Sequence, residues 1–218
     1  MRAIAQIYLV WRKGSGGRRH IVGSIKRNAT EGVRFEYIKE NVEEAKKDGF
    51  VLYESFPDLD KKYTENVLDI FGQRIMRSDR GDLKNFYDFW KIDQKNIDDK
   101  YYMLAYTQGM LPTDNYEFLA DFNPVKGLKF VTEISGLSHS KVSSDQLSVG
   151  DKLSYLLEPN NPKDKNAIKI FKGDLSLGYI KRVHNSVFVK TKHQIDLTVQ
   201  SIEKNGILKR VFVEVEIL

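Results

Sequence analysis

A concentrated run of polar side chains lies in Leu157-Glu158-Pro159-Asn160-Asn161-Pro162-Lys163-Asp164-Lys165-Asn166-Ala167. Two prolines restrict the backbone there, and the amides of Asn160, Asn161 and Asn166 can satisfy loop N–H and C=O groups locally. Asp164 and Asn166 lead into an apolar run beginning at Ala167, so the segment reads as a well-specified loop between two strands. On these residues alone, Asp164 and Asn166 either present groups to a ligand or only hold the turn. Downstream, Gly178 permits close backbone approach, Tyr179 offers an aromatic face, and Lys181 and Arg182 supply charge for phosphates.

Other chemistry finds less support. The chain has no cysteine, which excludes disulfides, thiolate metal sites and cysteine nucleophiles. His20, His139, His184 and His193 are scattered, and none forms a helical metal pair with a nearby acid, so no metal and no cofactor is expected. Arg12-Lys13-Gly14-Ser15-Gly16-Gly17-Arg18-Arg19 is glycine-rich and basic. It lacks the ending of a phosphate-binding P-loop, and a strand follows it, so a hairpin connection is predicted. Gly14-Ser15-Gly16 is not a nucleophile elbow for the same reason. The pairs Asp58/Asp60 and Asp98/Asp99 are explained by loop and helix-start roles. No catalytic residue is assigned.

The elements that must position these groups follow from periodicity. Strands are predicted over Ile4 to Trp11, His20 to Lys26 and around Val33, Phe35 and Tyr37. Helices follow over Asn41 to Lys47, around Val67, Ile70, Phe71 and Ile75, after Asp82 as N-cap through Leu83, Phe86, Tyr87 and Trp90, and over Asp99 to Tyr106. The last has Tyr102, Met103 and Tyr106 on one face, which reads as core. A turn at Leu111 to Asn115 precedes a strand at Tyr116 to Ala120. Phe122 to Gly127, with Pro124, marks a boundary. Beyond it strands dominate: Lys129 to Ser135, Lys152 to Leu157, Ala167 to Phe171, Leu175 to Ile180, Gln194 to Ile202 and Leu208 to Ile217. Asn205-Gly206 joins the last two as a tight turn, with Val211, Val213, Val215 and Ile217 on one face and Phe212, Glu214 and Glu216 on the other. Lys181 to Phe188 reads as a short helix.

The 218 residues are 41% hydrophobic and 30% charged, enough for a packed core with a solvated surface. Of the net charge of +5, residues 127–218 carry most, with 14 Lys+Arg against 10 Asp+Glu. That excess is compatible with an anionic partner and equally with ordinary solubility. No apolar run reaches the ~18–20 residues of a membrane helix, and the opening residues read as a strand rather than a signal peptide. The expected setting is cytoplasmic and without a membrane.

The run from Glu158 to Ile170, followed by Gly178-Tyr179-Ile180, resembles the HIRAN pattern. Gly136-Leu137-Ser138-His139 and Val149-Gly150-Asp151-Lys152-Leu153 stand where that family expects its first loop and a Gly-Asp turn. The resemblance implies an OB-like barrel that binds the 3′ end of single-stranded DNA. It implies that Asp164 accepts a hydrogen bond from the terminal 3′ hydroxyl, and that Asn160 and Asn161 form the amide pair of the loop. Lys163 stands where the family often has a stacking aromatic, and Leu137-Ser138-His139 where its DNA-end binders carry an Arg-Tyr-Tyr element. The expected DNA-binding set is therefore Asn160, Asn161, Lys163, Asp164, Tyr179, Lys181, Arg182 and His139.

The first part carries a second likeness. Its opening strands, Phe56-Pro57, Tyr63, Arg80 and the run Thr107-Gln108-Gly109 to Thr113-Asp114-Asn115-Tyr116-Glu117-Phe118 resemble the N-terminal subdomain of HipA-type kinases. That subdomain occurs as a separate protein in tripartite toxin–antitoxin systems. The resemblance implies docking on a partner HipA-like kinase, without the kinase's own catalytic core. The expected architecture is α+β: a mixed strand/helix domain over residues 1–123, then a small OB-like all-β barrel over 128–218. The expected function is non-catalytic binding of single-stranded DNA and of a kinase. The alternative is a pure protein-interaction antitoxin without DNA binding. Oligomeric state is not readable from the sequence.

Overall fold

The computed structural model describes residues 2–14, 16–76, 83–111, 113–140, 142–205 and 207–218. Ser15, Arg80, the N-cap role of Asp82, and Gly206 of the expected hairpin turn lie outside the described residues, as does the side chain of His139. The chain divides into two compact units. One comprises Ile4–Asp88 and Ile92–Asp121, the other Met1–Ala3, Phe89–Lys91 and Phe122–Leu218.

In the first unit, β1 (Ile4–Arg12), β2 (Arg19–Asn28), β3 (Gly32–Tyr37) and β4 (Tyr116–Phe122) form one sheet in the order β3-β2-β1-β4. β1 and β2 pair antiparallel out to Arg12 and Arg19, so the glycine-rich basic segment is a hairpin connection. Phe35 and Tyr37 point into the core from β3, as their alternation predicts. Around Phe35 gather Phe56 and Phe71, with ring centroids 4.9 and 5.2 Å away, and Phe118 lies 4.9 Å from Phe71. Edge-on and tilted contacts of this kind add to the area each ring buries.

Among the described residues, α1 (Lys39–Lys47), α2 (Val67–Phe71) and α4 (Lys100–Thr107) flank these strands, while α3 (Leu83–Trp90) ends in residues of the second unit. The helical stripe expected through Ile75 breaks at Phe71, where a 3₁₀ turn over Gly72–Arg74 takes over and Ile75 becomes extended. Asp99 caps α4 by accepting from the N–H groups of Tyr101 and Tyr102 and also pairs with Arg27 at 2.7 Å, so Asp99 serves a helix start. The expected face of α4 omitted its main anchor. Tyr101 is fully buried with its hydroxyl donating to Ile25 O, while Tyr102 stays half-exposed and stacks on Tyr106.

Arg74 ties this unit together. Its buried guanidinium donates through Nε to Gly109 O at 2.8 Å and through both terminal nitrogens to Asp114 at 2.5 and 2.7 Å. It also lies over the rings of Tyr116 and Phe118. The 3₁₀ turn after α2 is thereby pinned to the connection between α4 and β4.

In the second unit, β5 (Lys129–Glu133), β6 (Lys152–Glu158), β7 (Ala167–Lys172), β8 (Leu175–Tyr179), β9 (Ile195–Asn205) and β10 (Ile207–Ile217) form a sheet ordered β5-β10-β9-β6-β7-β8. The expected closing of these strands into a barrel is corrected. The sheet is open, and its outer strands β5 and β8 are joined just beyond β5 by one backbone pair, Ser135 with Tyr179. The predicted short helix is a 3₁₀ turn over Arg182–His184 running into α5 (Asn185–Lys190). Val211, Val213, Val215 and Ile217 are wholly buried, as their alternation predicts. Phe212 shares the other face with Glu214 and Glu216, as the alternation predicts, but is buried because Phe89 and Trp90 cover its ring. Of the scattered histidines, His20 bonds Asp48 at 2.6 Å and His184 bonds Thr132 at 2.8 Å, both within packed surroundings.

Asp114→Ala leaves the buried Arg74 charge uncompensated. It is expected to destabilise the first unit by about 3 kcal/mol, measured by chemical denaturation, with Arg74→Met less costly because no buried charge remains unpaired.

Candidate nucleic-acid interface

The loop between β6 and β7 is built from its own side chains. Asn161 accepts from the backbone N–H groups of Lys163 and Asp164 through Oδ1, and its amide nitrogen donates to Glu158 Oε2 at 3.1 Å. Asp164 repeats the device one turn later, Oδ1 accepting from Asn166 N at 2.9 Å while its carbonyl accepts from Ala167 N. Such local bonds hold a tight loop without a ladder. The second oxygen of Asp164 faces away from the turn. Oδ2 accepts from Asn185 Nδ2 at 3.0 Å and stands 3.9 Å from Arg182 Nε.

Asn185 opens α5 and is buried, and its carbonyl oxygen Oδ1 has no hydrogen-bond partner among the described residues. An unmet buried acceptor costs roughly 1–3 kcal/mol. It stands beside the Asp164 carboxylate, which remains partly open to solvent. Sequence reasoning passed over Asn185. The available signal was an asparagine at the start of an otherwise apolar helix.

Tyr179 reaches the loop from the other side. Its hydroxyl donates to Glu158 Oε2 at 2.9 Å, and Lys169 bonds Glu158 Oε1 at 3.0 Å. The Lys169 ammonium beside Glu158 holds its carboxyl below the usual carboxylate range. Burial, then the bond to Glu158, pushes the Tyr179 phenol up. Gly178 makes this placement possible. At φ +145° its missing Cβ would lie 2.3 Å from Ser135 O, so only glycine lets the Ser135–Tyr179 pair form, with N···O distances of 2.8 and 2.9 Å. The same pair brings Gly136 and the 3₁₀ turn Leu137–His139 beside Tyr179.

The sequence-derived set therefore divides. Asp164 and Arg182 come together, and Asn161 and Tyr179 meet on Glu158. Asn160 and Lys163 are exposed on the loop, and His139 lies in the adjacent turn. Arg182 is the open cation, its side chain 74% exposed. Lys181 is corrected. Only 1% exposed, it is buried against Glu133 at 3.4 Å, so its charge is spent on the core and not on a phosphate. Lys165, absent from the expected set, is exposed beside Asp164. Among the described residues, no group of three or more His, Asp or Glu is placed to hold a metal ion. No described helix is long and apolar enough to cross a membrane.

The family model described as the HIRAN domain matches residues 128–210. The crystal structure of the HIRAN domain of human HLTF is 20% identical, with a TM-score of 0.33 over 40% of this chain and 74% of that one. A crystal structure of a protein from Lactobacillus plantarum is 18% identical, with a TM-score of 0.36 over 41% of this chain and 91% of that one. No curated protein matches the chain.

The Glu158 network carries a pH signature. A carboxyl held below its ordinary value stabilises the fold above that value and loses its contribution as pH falls through the lowered one. Glu158→Gln is expected to lower stability by roughly 1 kcal/mol at neutral pH, read by urea unfolding, with the difference from wild type shrinking as pH falls below the ordinary carboxylate range. The loop built on Asn161 and Asp164, the Gly178 crossing beside Tyr179 and the family match over the same stretch together identify residues 128–210 as a HIRAN domain.

Proposed function

We propose that this chain is a non-catalytic binding protein whose HIRAN domain takes single-stranded DNA by its 3′ end. The observation that carries this reading is the Asp164 carboxylate. It is partly exposed, with one oxygen committed to the turn and the other held by Asn185, and the exposed side chains of Lys163, Lys165 and Arg182 surround it. A carboxylate so held accepts a hydroxyl hydrogen bond at little further ordering cost, and the cations offset the charge of the adjoining phosphates. A 3′ phosphate in place of the hydroxyl brings like charge against Asp164 and removes the donor. With no cysteine in the sequence, a reducing, cytoplasmic setting suits the chain.

The first unit serves, in this reading, as a docking module for a HipA-like kinase. Phe56, Tyr63, Asp114, Tyr116 and Phe118, which carry that likeness, lie in or beside the aromatic core around Phe71 and Arg74. Co-purification with a kinase encoded beside this gene, and loss of that kinase's activity on binding, tests it.

Fluorescence anisotropy with oligonucleotides ending in a 3′ hydroxyl or a 3′ phosphate tests the DNA reading. Wild type is expected to prefer the hydroxyl, and Asp164→Ala to weaken only the hydroxyl-ended strand. Equal affinity of wild type for both ends removes end recognition. Arg182→Ala is expected to weaken both strands alike and to reduce the slope of log affinity against log salt by about one.

A further inference from the structure

β6 leaves its neighbour early. It pairs with β9 at Lys152 and Leu153 but runs on beside β7 from Ser154 to Glu158. Over that stretch its side chains are not covered: Tyr155 is 37%, Leu156 58% and Leu157 42% exposed. Three adjacent apolar residues exposed on a strand call for an occupant, since open strand edges of this kind otherwise template aggregation. The strand ends at Glu158, the first anchor of the Asp164 loop.

Helix α5 ties this strip to the loop. Asn185, its first residue, bonds Asp164. Phe188, three residues and ~4.5 Å of helix rise further on, holds the Tyr155 ring edge-on with centroids 5.0 Å apart. Val189 beside it is 46% exposed. Along β6, Tyr155 stands three residues from Glu158, or ~10 Å, about three rises of a stacked base.

Five exposed cations stand along the loop and α5. Lys163, Lys165 and Arg182 stand at the loop end, Lys190 ends α5 and Lys192 follows it. The two acids of the loop are engaged, Glu158 by Lys169 and Tyr179, and Asp164 by Asn185 and its own turn. A neutral apolar peptide strand would leave these five cations unmatched, whereas a polyanion with flat apolar faces matches both features.

We propose that Tyr155, with Leu157 on the same face of β6, is a base-stacking platform that holds single-stranded DNA upstream of a 3′ end seated at Asp164. It supplies the aromatic face that Lys163 does not. This rests on the end-binding reading above. The Phe188 contact leaves part of the Tyr155 ring exposed, and base–aromatic stacking is tolerant of sequence, so the platform selects strand length rather than base identity.

The test uses the full chain, a 3′-hydroxyl dinucleotide and a 3′-hydroxyl octanucleotide, with Tyr155→Leu and Tyr155→Phe compared by anisotropy and competition. Tyr155→Leu keeps an apolar partner for Phe188 while removing the aromatic face, and its thermal unfolding is measured alongside. The expected result is that Tyr155→Leu weakens the octanucleotide on the order of tenfold and leaves the dinucleotide unchanged, and that Tyr155→Phe retains both. Asp164→Ala weakens both lengths. If Tyr155→Leu weakens neither, or both equally, the platform is overturned while the end preference of wild type keeps the end-binding reading. If Tyr155→Leu leaves DNA binding intact but abolishes self-association seen by light scattering, the strip is a protein interface and the proposal falls. If wild type binds neither oligonucleotide, the end-binding reading fails and the platform with it.

Discussion

One backbone crossing, Ser135 against Tyr179, holds the second unit in its working shape. The six-stranded sheet is open, and this reciprocal pair of hydrogen bonds is the place where its outer strands β5 and β8 are joined. On one side the chain leaves through Gly136 into the turn that carries His139. On the other, the Tyr179 side chain is delivered to Glu158, the first anchor of the Asp164 loop. The crossing depends on a residue without a Cβ at position 178, so an atom that is missing positions side chains from three separate stretches of chain.

Burial sorts the charges of the molecule into two populations. Arg74 with Asp114, and Lys181 and Arg210 with Glu133, are committed to packing, where an unpaired ion would be costly. Lys163, Lys165 and Arg182 remain at the surface around a carboxylate whose lone pairs are only partly used. The modest basic excess of residues 127–218 is therefore more telling locally than as a total. Part of it is internal, and five of the exposed cations stand at the loop and along or just after α5.

The two units use aromatic side chains differently. In the first, Phe35, Phe56, Phe71 and Phe118 face one another, and even the polar Tyr37 is buried with its hydroxyl donating to Phe56 O. In the second, Phe122 and Phe130 pack internally, but Tyr155 and Tyr179 stand at the margin with part of each ring open.

Local sequence determined a good deal. Alternation and turn residues placed the strands of β10 and the β6–β7 loop, because side-chain period and loop amides are short-range properties, and the glycine before Tyr179 marked a close approach without naming its partner. Residue type also suggested Asp164 and Arg182, which do meet. What only the tertiary structure decided concerns groups distant in sequence. Lys181 and Arg182 are adjacent, yet one is buried on Glu133, forty-eight positions away, and the other is largely exposed beside Asp164. Asn185 lay inside a predicted helix and Tyr155 inside a predicted strand, and they became neighbours of the loop only when α5 was laid against it. The open sheet in place of a closed barrel, and the shielding of Phe212 by Phe89 and Trp90, have the same origin. Hydrogen-bond partners and burial are set by which segments pack together, and period alone does not carry that information.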